Sequence, residues 1–73
     1  MDGFIVIEMQ TNAEGETALL TFQKATRAEA DSQYYTILAA AAISQVPMHS
    51  AVMLTKDGGH VMSKAYDHRE VTE

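Results

Sequence analysis

From Phe4 to Gln10 the side chains alternate. Ile5, Ile7 and Met9 fall on one side, and Val6, Glu8 and Gln10 on the other. A period of two marks a half-buried strand. Thr11 to Glu16 carries turn chemistry: Asn12 tolerates positive φ and Gly15 supplies it at little steric cost. Thr17 to Ala25 reads as the return strand, with Ala18, Leu20 and Phe22 on one face and Thr17, Thr21 and Gln23 on the other. A four-residue loop, Ala13 to Glu16, sets Met9 opposite Leu20 and Ile7 opposite Phe22. That register gathers both apolar sets on one face, and a slip of one residue would separate them.

A helix follows. Thr26-Arg27-Ala28-Glu29 fits the capping box, in which the threonine side chain accepts from the N3 amide and the glutamate reaches back. Glu29 and Asp31 sit in the first turns, where the helix dipole favours acids. Ala30, Tyr34, Ile37, Leu38 and Ala41 recur at helical spacing as one apolar stripe. Pro47 disfavours the α conformation at Val46, so the helix is predicted from about Arg27 to Ser44 or Gln45.

His49 to Thr55 alternates again, with Val52 and Leu54 on one side and His49, Ala51 and Met53 on the other. Lys56-Asp57-Gly58-Gly59 signals a hairpin, since Asp-Gly suits a type I′ turn. His60 to His68 returns, with Val61, Ser63 and Ala65 facing one way and His60, Met62, Lys64, Tyr66 and His68 the other. A two-residue loop sets Leu54 opposite Val61 and Val52 opposite Ser63, an inner face of small side chains beneath the helix. The expected architecture is a two-layer α+β fold, ββαββ: an antiparallel sheet of two hairpins with one helix packed on one face. Residues 1–73 make a single small domain, with about 69–73 as a frayed charged tail.

Composition narrows the function classes. A chain of 73 residues has a thin core, and such chains commonly add disulfides, a metal or self-association. There is no cysteine, which removes disulfides and thiolate metal sites together. The net charge is −5, and Lys24, Arg27, Lys56, Lys64 and Arg69 are scattered, so a nucleic-acid partner is not expected. The longest apolar stretch, Ile37 to Ile43, is too short to cross a bilayer, and the N-terminus does not read as a signal peptide. The expected location is the cytoplasm, or a virion assembled there.

No catalytic constellation stands out. Ser32, Ser44, Ser50 and Ser63 lie outside any nucleophile-elbow motif, and Glu8 reads as a polar residue on an outward strand face. Gly58-Gly59 is a hairpin turn with no helix behind it to bind phosphate. With Gly58-Gly59 as the loop, His49 and His68 face each other and could supply two metal ligands. A third would have to come from Asp67 or Glu70, and solvated surface histidines are the plainer reading, so no cofactor or metal is expected.

Surface apolarity carries more. Tyr34 and Tyr35 cannot share a helix face, so one is core and the other rim. Around Ala39 to Ala42 the helix is apolar nearly all round, which suits burial on more than one side, although exposed alanine is ordinary in a helix. The sheet face away from the helix is expected to carry Met53, Met62 and Tyr66 beside His49, His60 and Lys64. Tyr35, Ala39, Ala42, Ile43, Val46, Met53, Met62 and Tyr66 are therefore the candidate contact surface for a homo-oligomer, a dimer first of all.

The segment Tyr35-Thr36-Ile37-Leu38-Ala39-Ala40-Ala41-Ala42-Ile43-Ser44, continuing through Val46-Pro47, joins Ala51-Val52-Met53-Leu54-Thr55 and Ala65-Tyr66-Asp67-His68 in one resemblance. From Glu8-Met9-Gln10-Thr11-Asn12 onward the chain resembles short uncharacterised phage- or prophage-associated proteins of Gram-positive gut bacteria. The resemblance implies a genomic context and transfers no activity and no functional residue. The expected function is non-enzymatic: a self-associating structural or accessory interaction protein, phage-linked. The alternative is an acidic inhibitor or regulator that binds a host protein, and a histidine-based metal-binding protein comes third.

Overall fold

The computed structural model describes residues 3–68, and the expected tail at 69–73 lies outside the described residues. The chain is a ββαββ α+β fold: β1 (Phe4–Thr11), β2 (Thr17–Lys24), α1 (Arg27–Ala42), β3 (Met48–Thr55) and β4 (His60–Asp67). One antiparallel sheet has the order β2-β1-β3-β4, so the first strand of each hairpin lies at the centre. No described helix is long and apolar enough to cross a membrane.

Thr26 caps α1 with the first half of the expected capping box, and the return bond from the Glu29 carboxylate is not formed among the described residues. It holds an extended conformation, φ −125° and ψ 159°, and its hydroxyl accepts from the Glu29 amide at 3.2 Å. Arg27 and Asp31 pair one turn apart at 2.8 Å. The helix ends at Ala42, short of the expected Ser44 or Gln45. Ile43 leaves helical geometry at φ −114° and ψ 10°; its amide donates to the Ala40 carbonyl, and the Ser44 amide donates to that of Ala41.

The two hairpins share one turn. In the first, Asn12 N–H donates to the Glu16 carbonyl and Gly15 N–H to the Asn12 carbonyl. In the second, Thr55 N–H donates to the Gly59 carbonyl and Gly58 N–H to the Thr55 carbonyl. Gly15 and Gly58 take positive φ, 87° and 95°, and among the described residues no non-glycine does. Asp57 is thus not in the positive-φ region a type I′ turn requires, and both connections are three-residue loops closed by a glycine. A polar side chain braces each turn at the same place. Asn12 Oδ1 accepts from Glu16 N at 2.9 Å, and Thr55 Oγ1 accepts from Gly59 N at 2.8 Å.

These loops set a register one residue away from the expected one in the first hairpin. Met9 lies opposite Leu19, Ile7 opposite Thr21 and Val6 opposite Phe22. Between β1 and β3, Val6 faces Met53 and Ile7 faces Val52. In the second hairpin Val52 pairs with Ser63 as expected, but an irregularity after Met53 sets Leu54 opposite His60 in place of Val61.

The helix consequently covers the other face of the sheet. Ala30, Tyr34, Ile37 and Leu38 pack on Val6, Ala51 and Met53, with Phe4, Phe22, Val61, Met62 and Tyr66 at the margin. Val6 and Met53 are wholly buried. Each such side chain contributes roughly 1.5–3 kcal/mol by leaving water. Ile5, Ile7, Met9, Val52 and Leu54, expected beneath the helix, instead line the sheet face that α1 does not cover.

Candidate interaction surfaces

The uncovered face is built from the odd residues of β1 and β2 and the even residues of β3. Cross-strand rows run Gln23, Ile5, Leu54 and His60; Thr21, Ile7, Val52 and Ser63; Leu19, Met9, Ser50 and Ala65; Thr17, Thr11, Met48 and Asp67. Ile5, Ile7, Met9, Val52 and Leu54 form a central apolar band, and Leu19 extends it to the edge with 59% of its surface exposed. Hydroxyls and small side chains surround the band. Asp67, in the corner row, is the one carboxylate among these described positions. An open face of an antiparallel sheet is ordinarily polar, so this composition is unusual for a surface meant for water.

A second apolar surface runs along the outside of α1. Tyr35 is 57% exposed and Ile43 85%, with Ala39 and Ala42 exposed between them. Tyr34 is buried and meets Tyr35 edge to face at 5.2 Å, the division into core and rim that their adjacency requires. Burial, with a smaller contribution from Tyr35, pushes the Tyr34 phenol above its ordinary value. Val46 is half-buried in the loop after the helix.

The other expected contact residues lie elsewhere. Met53 is fully buried beneath α1, and Met62 and Tyr66 pack against the same core. They sit on the helix side because His49, Ala51 and Met53, and not Val52 and Leu54, face the helix. They therefore do not line the open sheet face.

The polar residues of this buried side pair with each other. Glu8 does not point outward. His49 is buried, and its Nε2 donates to Glu8 Oε2 at 2.5 Å, while Gln10 Nε2 donates to the same oxygen at 3.1 Å. His49 Nδ1 has no hydrogen-bond partner among the described residues. A buried N–H without a partner costs more than a lone pair, which places the proton on Nε2. His49 lies opposite Tyr66, not His68. His68 Nε2 instead donates to the Ala41 carbonyl at 2.7 Å and ties the end of β4 to the end of the helix. Among the described residues no three His, Cys, Asp or Glu side chains group as a metal ion would require.

The Glu8–His49 pair and the open apolar face were the two features missed from the sequence. Their signal was present: β1 is apolar on both faces, and Glu8 and His49 fall on adjacent central strands. Comparison with protein-family models, with curated proteins and with solved structures finds no match for this chain.

Proposed function

We propose that this protein is a non-enzymatic, self-associating structural or accessory protein, and that two copies stack through the open face of the sheet. The observation that supports this reading is the central apolar band of Ile5, Ile7, Met9, Val52 and Leu54, left uncovered by the single helix. An eight-residue, four-stranded face measures roughly 26 by 19 Å, on the order of 500 Å² in projection. Two such faces bring together on the order of 1,000 Å², the lower bound for a specific interface. The face is almost free of charge, so its partner must be equally uncharged and apolar. A second copy offers that surface, in the isologous arrangement most homodimers adopt. The stacked sheets would form a sandwich about 10 Å deep. A phage-linked accessory role, in the cytoplasm or on a virion, belongs to the same reading.

Solution mass by light scattering during size exclusion tests it. The native protein is expected above its 8.0 kDa chain mass. Ile7→Glu, which sets a carboxylate at the centre of the face, is expected to lower that mass. Ile43→Glu, on the outside of the helix, is expected to leave it unchanged. An Ile7→Glu variant with native circular dichroism and undiminished mass would remove this face from the assembly, and the milder Ile7→Thr guards against loss of fold.

A further inference from the structure

The two edges of the sheet are not alike. β4 is guarded against further pairing by its irregularity at Val61 and by Lys64 in mid-strand. β2 has none of these devices. Its eight residues pair with β1 without a break, it contains no proline, and its one charge is the terminal Lys24. Leu19 and Leu20 are 59% and 53% exposed, one on each face of the sheet.

The outward backbone groups can be identified. Asn12 N–H donates to the Glu16 carbonyl, so these two residues form a hydrogen-bonded pair of the β1–β2 ladder. Pairs alternate along an antiparallel ladder. Ala18, Leu20, Phe22 and Lys24 therefore direct their amides and carbonyls toward β1. Those of Thr17, Leu19, Thr21 and Gln23 point out from the edge, where no described strand meets them.

We infer that β2 pairs antiparallel with β2 of a second copy, about a two-fold axis through Leu20. In this register the outward groups of Leu19 meet those of the partner's Thr21, and Thr17 meets the partner's Gln23. Leu20 lies against the partner's Leu20 in a non-hydrogen-bonded pair, where side chains approach closest. Phe22 falls opposite the partner's Ala18. Charge fixes the register: Lys24 at the end of one strand falls opposite the partner's Glu16, and the same pair forms again at the other end. A shift of two residues one way places Lys24 opposite the partner's Ala18 and forfeits both pairs; the other way carries it past the strand to the partner's Glu14, in the turn, and shortens the paired strands. The two helices then lie on the same side of one eight-stranded sheet.

This contact uses the backbone of β2 and stands or falls independently of the stacked faces. With both contacts present, the assembly closes as a tetramer where the two axes intersect and extends as an open array where they do not. The absence of cysteine makes the register directly readable. Leu20→Cys is expected to form a disulfide-linked dimer under mild oxidation. Leu19→Cys, whose two copies would lie beyond the ~7 Å Cα reach of a disulfide, is not. Glu16→Lys is expected to slow the Leu20→Cys crosslink by on the order of tenfold, as two rim pairs turn repulsive, and Lys24→Glu added to it should restore the rate. Within one chain these residues stand about 26 Å apart along the strand, so rescue can only act between copies. Thr21→Pro removes an outward N–H alone and is expected to abolish the crosslink while the sheet remains folded. Equal crosslinking of Leu19→Cys and Leu20→Cys, or none in a folded Leu20→Cys, would overturn the inference. A folded Leu20→Cys that fails to crosslink but keeps a dimer's mass would refute the edge contact and leave the face contact standing.

Discussion

At the scale of single residues the Glu8–His49 pair shows how polar side chains are accommodated on the covered side of the sheet. A carboxylate and an imidazole on central strands look like surface groups, and burying either alone carries a desolvation penalty. Together they satisfy each other, with Gln10 sharing the carboxylate oxygen. The same logic predicts their mutational behaviour. Glu8→Ala leaves the buried Nε2 proton of His49 without its acceptor, a loss of about 1–3 kcal/mol. Glu8→Leu combined with His49→Leu removes both polar partners and is expected to recover most of that stability, since apolar replacement of a buried polar pair is often neutral or better. Urea unfolding of the two variants measures the difference. A Glu8→Ala variant as stable as the double would show that the unpartnered Nε2 proton carries no penalty.

At the scale of elements the turns govern register. Gly15 and Gly58 hold φ of 87° and 95°, and a Cβ at either would meet nothing within 4 Å. Alanine there incurs a conformational penalty and no clash. Gly15→Ala and Gly58→Ala are each expected to cost about 1–2 kcal/mol and to lower the melting temperature without a change in fold. At Asp57, the hydrogen bond from Thr55 holds the carboxyl below its usual range and adds to the order of the second turn. These turns also mark the limit of what the chain makes legible. The five elements, the Thr26 cap, the helix stripe and the core role of Tyr34 follow directly from spacing. The choice of sheet face does not, because Ile5, Val6, Ile7 and Met9 make β1 apolar on both sides. Only the loop length separates the two registers. The three-residue loop goes with the Asn12 side-chain brace where four residues were expected, and with the Thr55 brace where two were expected; neither is written in the hydrophobic pattern. One residue of register was enough to exchange the expected core, Ile7 with Val52, for Val6 with Met53.

At the scale of the molecule the decisive quantity is how much of the sheet one helix can cover. A helix of 16 residues is about 24 Å long and ~10 Å wide, against a sheet about 19 Å across. It shields roughly half of one face. Leu20 on β2 is left exposed beside it, and the opposite face, with Ile7 and Val52 at its centre, is left without any layer. A two-layer chain of 73 residues has a thin core, so assembly would supply part of the stability of each subunit. Mass action then gives a distinctive signature. For a dimer, each tenfold rise in concentration stabilises the assembled state by about 0.7 kcal/mol per chain, half of the 1.4 kcal/mol that tenfold represents. In a domain of this size that amounts to a rise in melting temperature of about 3–5 °C per decade. Calorimetry or circular dichroism over a hundredfold range of concentration should show this slope in the native protein. Ile7→Glu combined with Thr21→Pro, which removes both contacts, should melt at one temperature throughout. A native melting temperature independent of concentration would mean that the chain folds alone and that Ile7, Val52 and Leu20 remain in contact with water.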